Sequence, residues 1–477
     1  MRPVSPESRE EWEALRAELL KEIKFSSSIE LLGTDAPLNP RIAPSQETDG
    51  VVVEKVAFES LPGYFVTGNL YRPADTSKKY PCVLNPHGHW DNGRLETVDR
   101  AMIPTRCFNF AKRGMVAFIY DMVGFCDSTQ MPHEGFEDEY EKYNFGRFSV
   151  QLNNSVKAVD FVSSLPYVDK ERIGCTGCSG GGTQTYFLTA IEPRIKAAAP
   201  INMASSTMQG GCICENTAFL RTRHCNTDFT MLASPRPLFL ASCDGDWTYR
   251  SREVEFPAIG KIYGFYNAED KFETFYRHAP HCYEKCTREL AYSFFCRAFG
   301  ITDPFDGELD ADIDLDKLLW GSLPECENAV KDEKDLFERV KKIIRANLEK
   351  LSADEKKELI NRVFVTDEEL PLDISYTVRE DHGNTEVSFD ACPDGVSRCG
   401  AKYYHTYNYA DDTKRVNGIL SLMKRYPDAL FRASGKTAAL CRIAAQLTEN
   451  AELAVENADF SDVFIPGSGL IPIVTEE

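Results

Sequence analysis

Apolar and polar residues alternate with a period of two over residues 51–58 and 63–71. That spacing predicts two antiparallel strands with one exposed face. Arg72-Pro73 ends the second. The next runs are mostly apolar and do not alternate: Tyr80 to Asn85, Met115 to Asp121, Ile173 to Thr176, Ile195 to Ile201 and Pro237 to Ser242. They predict strands buried on both faces. Between them apolar residues recur at helical spacing over 100–112, 150–165, 183 onward and 287–299. A further helix is predicted at residues 8–24, with Trp12, Leu15, Leu19, Leu20 and Ile23 on one face and Ser8 and Glu11 spaced as a capping box. Strands alternating with helices imply right-handed crossovers and a mostly parallel sheet covered on both faces, an α/β protein.

The pattern changes after about residue 303. Asp306 to Asp316 is acidic and is expected to be a linker or loop, part of a linker over 304–330. A charged helix follows at 331–351, with Leu336, Val340, Ile343, Ile344, Leu348 and Leu351 inward. Ser352 to Glu355 caps another. From Leu370 to Tyr409 the chain turns strand-like, followed by a helix at 411–424, a strand at 429–433 and a helix at 436–447. With 477 residues, the expected organisation is a lead-in over 1–50, a main α/β domain over 51–303 and a smaller α/β domain over 331–477.

One strand–turn–helix unit carries chemistry. Gly177-Cys178-Ser179-Gly180-Gly181 matches G-x-S-x-G, a sharp turn that exposes a serine at the top of a sheet, beside the free N–H groups of a helix start. A serine hydroxyl needs a base to take its proton, commonly a histidine held by a carboxylate. His281, in the loop before the last helix of the main domain, is the preferred base, and His278, at the end of an apparent strand, is the competitor. The carboxylate is expected after the strand 237–242, where Asp246 is preferred to Asp244 because it reaches further across. The oxyanion formed on attack needs fixed donors. Gly180 N–H is one, and the N–H of His89 or Trp90, in the loop His87-Gly88-His89-Trp90, is the other.

Charge and cysteine content narrow the setting. A net charge of −20 argues against nucleic acid or an anionic membrane as partner. No apolar run is long enough to span a bilayer, and the N-terminus lacks the apolar core of a signal peptide, so a cytoplasmic location is expected. The 16 cysteines are read as reduced thiols. Cys212, Cys214, His224 and Cys225 cluster in sequence, but their spacing is not a standard zinc pattern, and no metal is expected.

At these residues the chain resembles the α/β-hydrolase superfamily, and more narrowly the bacterial acetyl xylan esterase-like carbohydrate esterases. The resemblance covers roughly residues 50–300 and rests on Gly63-Tyr64, Gly68-Asn-Leu-Tyr-Arg-Pro73, His87 to Trp90, Asp121 to Ser128, Gly177 to Gly181, Gly245 to Thr248 and Pro280 to Tyr283. It implies an α/β-hydrolase fold, the triad Ser179, Asp246 and His281, and no cofactor. Met208 to Asn216 is similar to a stretch of larger relatives, some grouped with pectin methylesterases, in which a degenerate hydrolase-like domain follows the first. The C-terminal domain here is therefore expected to be non-catalytic. Its strand–turn–helix around Ser434 lacks the G-x-S-x-G pattern.

The expected activity is hydrolysis of an acetyl or methyl ester on carbohydrate, with a small molecule or oligosaccharide as substrate. Trp90, Trp247, Arg221, Arg223 and Glu215 are the substrate-binding candidates, the arginines as partners of a sugar carboxylate. Tyr403, Tyr404 and Tyr407 are further candidates from the second domain. A serine peptidase or amidase on the same fold, and a non-catalytic binding protein with a relic site, are the alternatives.

Overall fold

The computed structural model describes residues 2–135, 138–208, 210–323, 325–393, 409–448 and 451–471. Two compact units emerge. The first holds the described residues up to 135 and from 146 to 339.

Nine strands form its sheet: β1 Arg41–Thr48, β2 Val51–Leu61, β3 Tyr64–Pro73, β4 Tyr80–Leu84, β5 Val116–Tyr120, β6 Val168–Cys178, β7 Ile195–Ile201, β8 Leu238–Gly245 and β9 Phe272–Pro280. Their order is β1-β2-β3-β5-β4-β6-β7-β8-β9. The pairs β1/β2, β2/β3 and β3/β5 are antiparallel, and all later pairs are parallel. This is the mostly parallel sheet that the apolar runs predict. The edge strand β1 has no counterpart in the sequence reading. Most of its residues are polar and none is buried, Pro44 interrupts it, and the register shifts just after that proline. Polar composition, proline and a bulge are how exposed edges avoid pairing with other chains, so such a strand carries no apolar period.

The buried strands serve two faces at once. In β5, Val116, Phe118 and Tyr120 point into one core, with Phe161 and Val162 of the helix Arg147–Ser164. Ala117 and Ile119 point into the opposite core, with Phe108 and Phe110 of the helix Ile103–Lys112 and Phe294 and Phe295 of the helix Lys285–Ala298. Successive side chains on a strand face opposite ways, so a strand covered on both sides must be apolar at every position. Burying a side chain the size of Phe118 stabilises the fold by about 2–3 kcal/mol. The N-terminal helix, Arg9–Ser26, buries Trp12, Leu19 and Ile23 against the same cluster as Phe187 and Phe229.

The acidic stretch read as a linker is not a free tether. From Leu309 to Asp316, apolar and acidic residues alternate, and Leu309, Ala311, Ile313 and Leu315 pack against the core of the first unit. Glu308 pairs with Arg288 at 2.6 Å, and Leu318 is fully buried. The Trp320 indole donates to the carbonyl of Val56 at 3.0 Å. The chain thus straps the sheet before leaving the unit.

The second unit has a four-stranded sheet of β10 Tyr376–Asp381, β11 Asn384–Phe389, β12 Leu430–Ser434 and β13 Glu452–Glu456, in that order. β10/β11 is antiparallel and the rest parallel. Helices Asp411–Arg425 and Gly435–Ala445 accompany it. Tyr403, Tyr404 and Tyr407 lie outside the described residues. No described helix is long and apolar enough to cross a membrane.

Candidate active site

Ser179 sits between the end of β6 and the helix Gly180–Ile191, with φ +59° and ψ −126°. A non-glycine residue in that region is strained, and such strain collects at functional turns. The flanking glycines have a steric cause. A Cβ on Gly177 would lie 2.4 Å from the carbonyl oxygen of Pro86, and one on Gly181 only 2.2 Å from the same atom. The backbone of the loop after β4 is packed directly against the turn, so G-x-S-x-G here records a close approach of two backbones.

The ends of β6, β7, β8 and β9 are neighbours, and the candidate residues follow them. Ser179 N–H donates to the carbonyl of Ile201 at 3.2 Å, and Asn202 N–H to that of Ala241 at 2.9 Å. Asn202, in the left-handed region at φ +52°, donates its side-chain amide to Asp246 Oδ2 at 2.9 Å. His281 Nδ1 meets the same oxygen at 2.7 Å. Asp246 Oδ1 accepts from Thr248 N–H at 2.7 Å and from the Thr248 hydroxyl at 2.5 Å. Burial raises the Asp246 pKa, but the hydrogen bond and charge of His281, with the Thr248 bonds, outweigh it and leave the carboxyl below its ordinary value. His281 Nε2 is buried and has no hydrogen-bond partner among the described residues. The Trp247 ring lies 4.4 Å from that of His281, and its indole N–H is donated to the carbonyl of Asn202 at 3.1 Å.

The competing pair is also formed, in a different setting. His278 bonds Asp244, but their side chains are 85% and 42% exposed, against 24% for His281 and 1% for Asp246. Only the Asp246–His281 pair is shielded from water, where an ionic hydrogen bond is strong.

The loop after β4 is anchored from below. His87 is buried, with Nδ1 donating to the carbonyl of Gly88 at 2.7 Å and Nε2 accepting from Met122 N–H at 2.9 Å. That assignment needs the neutral ring, and burial pushes its pKa down to about 3. The buried Arg94 guanidinium bonds Asn69 Oδ1 at 2.7 Å, Asp127 at 2.5 Å, and Asp121. The two donors read from the sequence for this loop separate here. Trp90 N–H is turned back onto the carbonyl of Gly88 at 2.9 Å, which removes it as an oxyanion donor. No hydrogen bond leaves the N–H of His89 or of Gly180 among the described residues. The His89 ring covers the turn, so that a Cβ on Gly180 would lie 2.8 Å from His89 Cε1. Trp90 is half-buried, with the Arg100 guanidinium 5.3 Å above its ring.

Arg221 is not exposed to a substrate as a substrate cation must be. It is fully buried, and its guanidinium donates to Asn226 Oδ1 and Asn216 Oδ1 at 2.7 Å, the carbonyl of Glu215 at 2.6 Å and the Tyr186 hydroxyl at 3.0 Å. Arg223 is exposed. Glu215 is buried, accepting from the Thr183 hydroxyl at 2.7 Å and from Gly211 N–H at 2.8 Å. It ties the loop around 210–216 to the helix that begins after Ser179.

The cysteine–histidine cluster regroups. His224 Nδ1 pairs with Glu22 at 2.6 Å, and Cys225 is buried at a helix start beside Asp228. Cys212 and Cys214 instead meet His89 and His133, with the four ligand atoms within 4.8 Å of one another. The hydrogen bond with Cys214 is the largest influence on Cys212; with His133 and His89 it outweighs burial and pulls the thiol down to about 2. Cys214 moves the opposite way, raised by its burial and by the neighbouring Cys212. His133 and Asn202 were not picked out from the sequence. All described cysteines are free thiols.

Residues 31–204 match the acetyl xylan esterase family. The chain is 27% identical over 144 residues to the putative hydrolase YtaP of Bacillus subtilis, covering 29% of this chain and 46% of that protein. It is 27% identical over 157 residues to the polyketide transferase claH of Penicillium crustosum, covering 32% and 46%. The chain thus spans less than half the length of these curated relatives. A solved structure of the methylesterase BT1017 superposes with a TM-score of 0.61 at 27% identity, over 72% of this chain and 78% of that one. The fold is that of the α/β-hydrolases, residues 31–204 match the acetyl xylan esterase family, and in both respects the chain resembles the carbohydrate esterases.

Proposed function

We propose that the protein is a serine carboxylic-ester hydrolase that removes acetyl or methyl esters from carbohydrate. The observation that carries this reading is the His281 imidazole. Its Nδ1 is held by the buried Asp246, and its Nε2 is buried and without a hydrogen-bond partner among the described residues, in the row of strand ends that bears the strained Ser179. A neutral ring so held carries its proton on Nδ1 and presents Nε2 as a base.

The steps follow from these groups. His281 Nε2 takes the Ser179 proton as Oγ attacks the ester carbonyl. The negative oxygen is met by the N–H groups of Gly180 and His89, each such donor contributing roughly 10²–10³ in rate. The C–O bond to the alcohol breaks, and His281 returns its proton to the departing oxygen. Water then cleaves the acyl-enzyme by the same route. With an acetylated sugar, the sugar hydroxyl leaves and the acetyl group stays on Ser179. With a methyl uronate, methanol leaves and the uronyl group stays.

The carbohydrate assignment is supported by the acetyl xylan esterase match and by the likeness to a methylesterase. Trp90 and Trp247 are proposed to wall the sugar site, and Arg223, not Arg221, remains as the cation for a carboxylate. The second unit has no catalytic role in this reading, since Ser434 starts its helix from ordinary extended backbone at φ −136°. Ser179→Ala is expected to abolish hydrolysis of p-nitrophenyl acetate and of acetylated or methyl-esterified oligosaccharides with the melting temperature unchanged. Full activity in that variant contradicts the proposal.

A further inference from the structure

We propose that His89, His133, Cys212 and Cys214 form a zinc site that locks three loops around the Ser179 turn. The residues come from the loop after β4, the loop after β5 and the segment following β7. Segments far apart in sequence thus bring two imidazoles onto two thiols. His89 Nε2 lies 3.2 Å from Cys214 Sγ, and His133 Nε2 lies 3.1 Å from Cys212 Sγ. The two rings meet edge to face, 5.1 Å between centroids.

The dimensions suit a tetrahedron. Zinc bonds of about 2.3 Å to sulfur and about 2.05 Å to nitrogen give ligand-to-ligand edges of roughly 3.3–3.8 Å. The two N–S pairs need to open by a few tenths of an ångström, and the longest separation, no more than 4.8 Å, needs to close by about 1 Å. Side-chain rotation alone covers such shifts. Two thiolates, two neutral imidazoles and a divalent zinc ion sum to zero charge, which suits a half-buried site. The mixed sulfur and nitrogen set selects zinc over the oxygen-seeking calcium and magnesium.

The outer contacts fit as well. His133 Nδ1 donates to the carbonyl of Val123 at 2.7 Å, which leaves the Nε2 lone pair for a metal. The short helical turn Ile213–Glu215 brings the two thiols of a one-residue spacing to the same side. Glu215, next in the chain, fixes that turn through Thr183 and Gly211.

Four protein ligands leave no open position, so the ion is structural. Its consequence for catalysis rests on the proposed esterase mechanism. His89 would be a zinc ligand through its ring and an oxyanion donor through its backbone, so the ion would position that N–H.

The test begins with reduced wild-type protein stripped by a chelator and titrated with zinc against a metal indicator. One tightly bound equivalent is expected. Cobalt put in place of zinc is expected to give a thiolate-to-cobalt charge-transfer band with intense tetrahedral visible bands. Cys212→Ser and His133→Gln should each lose the equivalent and the thiolate-cobalt spectrum of four-coordinate binding, and Cys286→Ser, at an exposed thiol outside the cluster, should keep both. Hydrolysis of p-nitrophenyl acetate should fall at least tenfold on stripping and return with zinc. Failure of the reduced wild type to take up zinc, a cobalt spectrum without thiolate bands, or unchanged binding in both site variants would each overturn the proposal. Zinc binding without any catalytic activity would leave the site standing and count only against the esterase reading.

Discussion

Replacing Asp246 by asparagine changes one atom and inverts the hydrogen bonding around His281. In the wild type, Oδ2 accepts from both His281 Nδ1 and the Asn202 amide, while Oδ1 accepts two bonds from Thr248. An asparagine keeps its oxygen toward Thr248, where both partners are donors. Its NH₂ group then stands where Oδ2 stood, facing the Asn202 NH₂ and the His281 Nδ1–H. The imidazole escapes the clash by moving its proton to Nε2, and the base is then lost. The rate cost of that tautomer change is on the order of 10⁴ in kcat, about 5.5 kcal/mol in the barrier. The donor facing Asn202 costs a further 1–3 kcal/mol, roughly, in stability. Asp244→Asn is the control. Its pair with His278 is exposed to water, and its loss should change the rate by no more than about twofold. Steady-state hydrolysis of p-nitrophenyl acetate, with thermal unfolding of each variant, measures both quantities. A loss below tenfold in Asp246→Asn, or a larger loss in Asp244→Asn, refutes the reasoning.

Other variants probe separate parts of the account. Arg221→Ala strands four acceptors and should destabilise the fold by about 3–5 kcal/mol, read as a fall in melting temperature, whereas Arg223→Ala should raise KM only for methyl uronates. Burial lowers the His224 pKa, but the hydrogen bond and charge of Glu22 outweigh it and hold the ring above its ordinary value. The stability that pair contributes is complete below the unfolded pKa near 6.5 and fades as pH rises through the folded value, so His224→Gln should cost about 1–3 kcal/mol at pH 6 and less at pH 9 in urea unfolding. Gly181→Ala places a Cβ against the Pro86 carbonyl and should reduce kcat roughly 10²-fold or more by displacing the Ser179 turn; near-normal turnover contradicts that steric reading.

What could be read from the chain was what local pattern encodes. Strands such as Val116–Tyr120 are apolar at every position because both faces are covered, and the serine turn announces itself through glycines that a neighbouring carbonyl demands. The loops bearing Asp246 and His281 could be ranked because each follows a recognisable strand. Features set by contacts distant in sequence were not legible. β1 is polar because it is an edge. Asn202 looks like any residue after a strand, and only the fold puts its amide against Asp246. His133 meets Cys212 across 79 residues, and no spacing rule reports that. The strap at 309–318 was hidden by its charge, although Leu309, Ala311, Ile313 and Leu315 alternate as one apolar face. Arg221 looked available because arginines are usually exposed; a left-handed backbone at φ +63° and four inward acceptors turn it into the core.

The central claim is that Ser179 is a live nucleophile activated by His281. Intact-protein and peptide mass spectrometry after a fluorophosphonate probe tests it most directly, run on wild type, Ser179→Ala and His281→Ala. The account predicts one adduct on wild type, mapped to Ser179, none on Ser179→Ala, and labelling slowed by at least two orders of magnitude, roughly, in His281→Ala. No adduct on active wild-type protein, or an adduct on another residue that persists in Ser179→Ala, would contradict it.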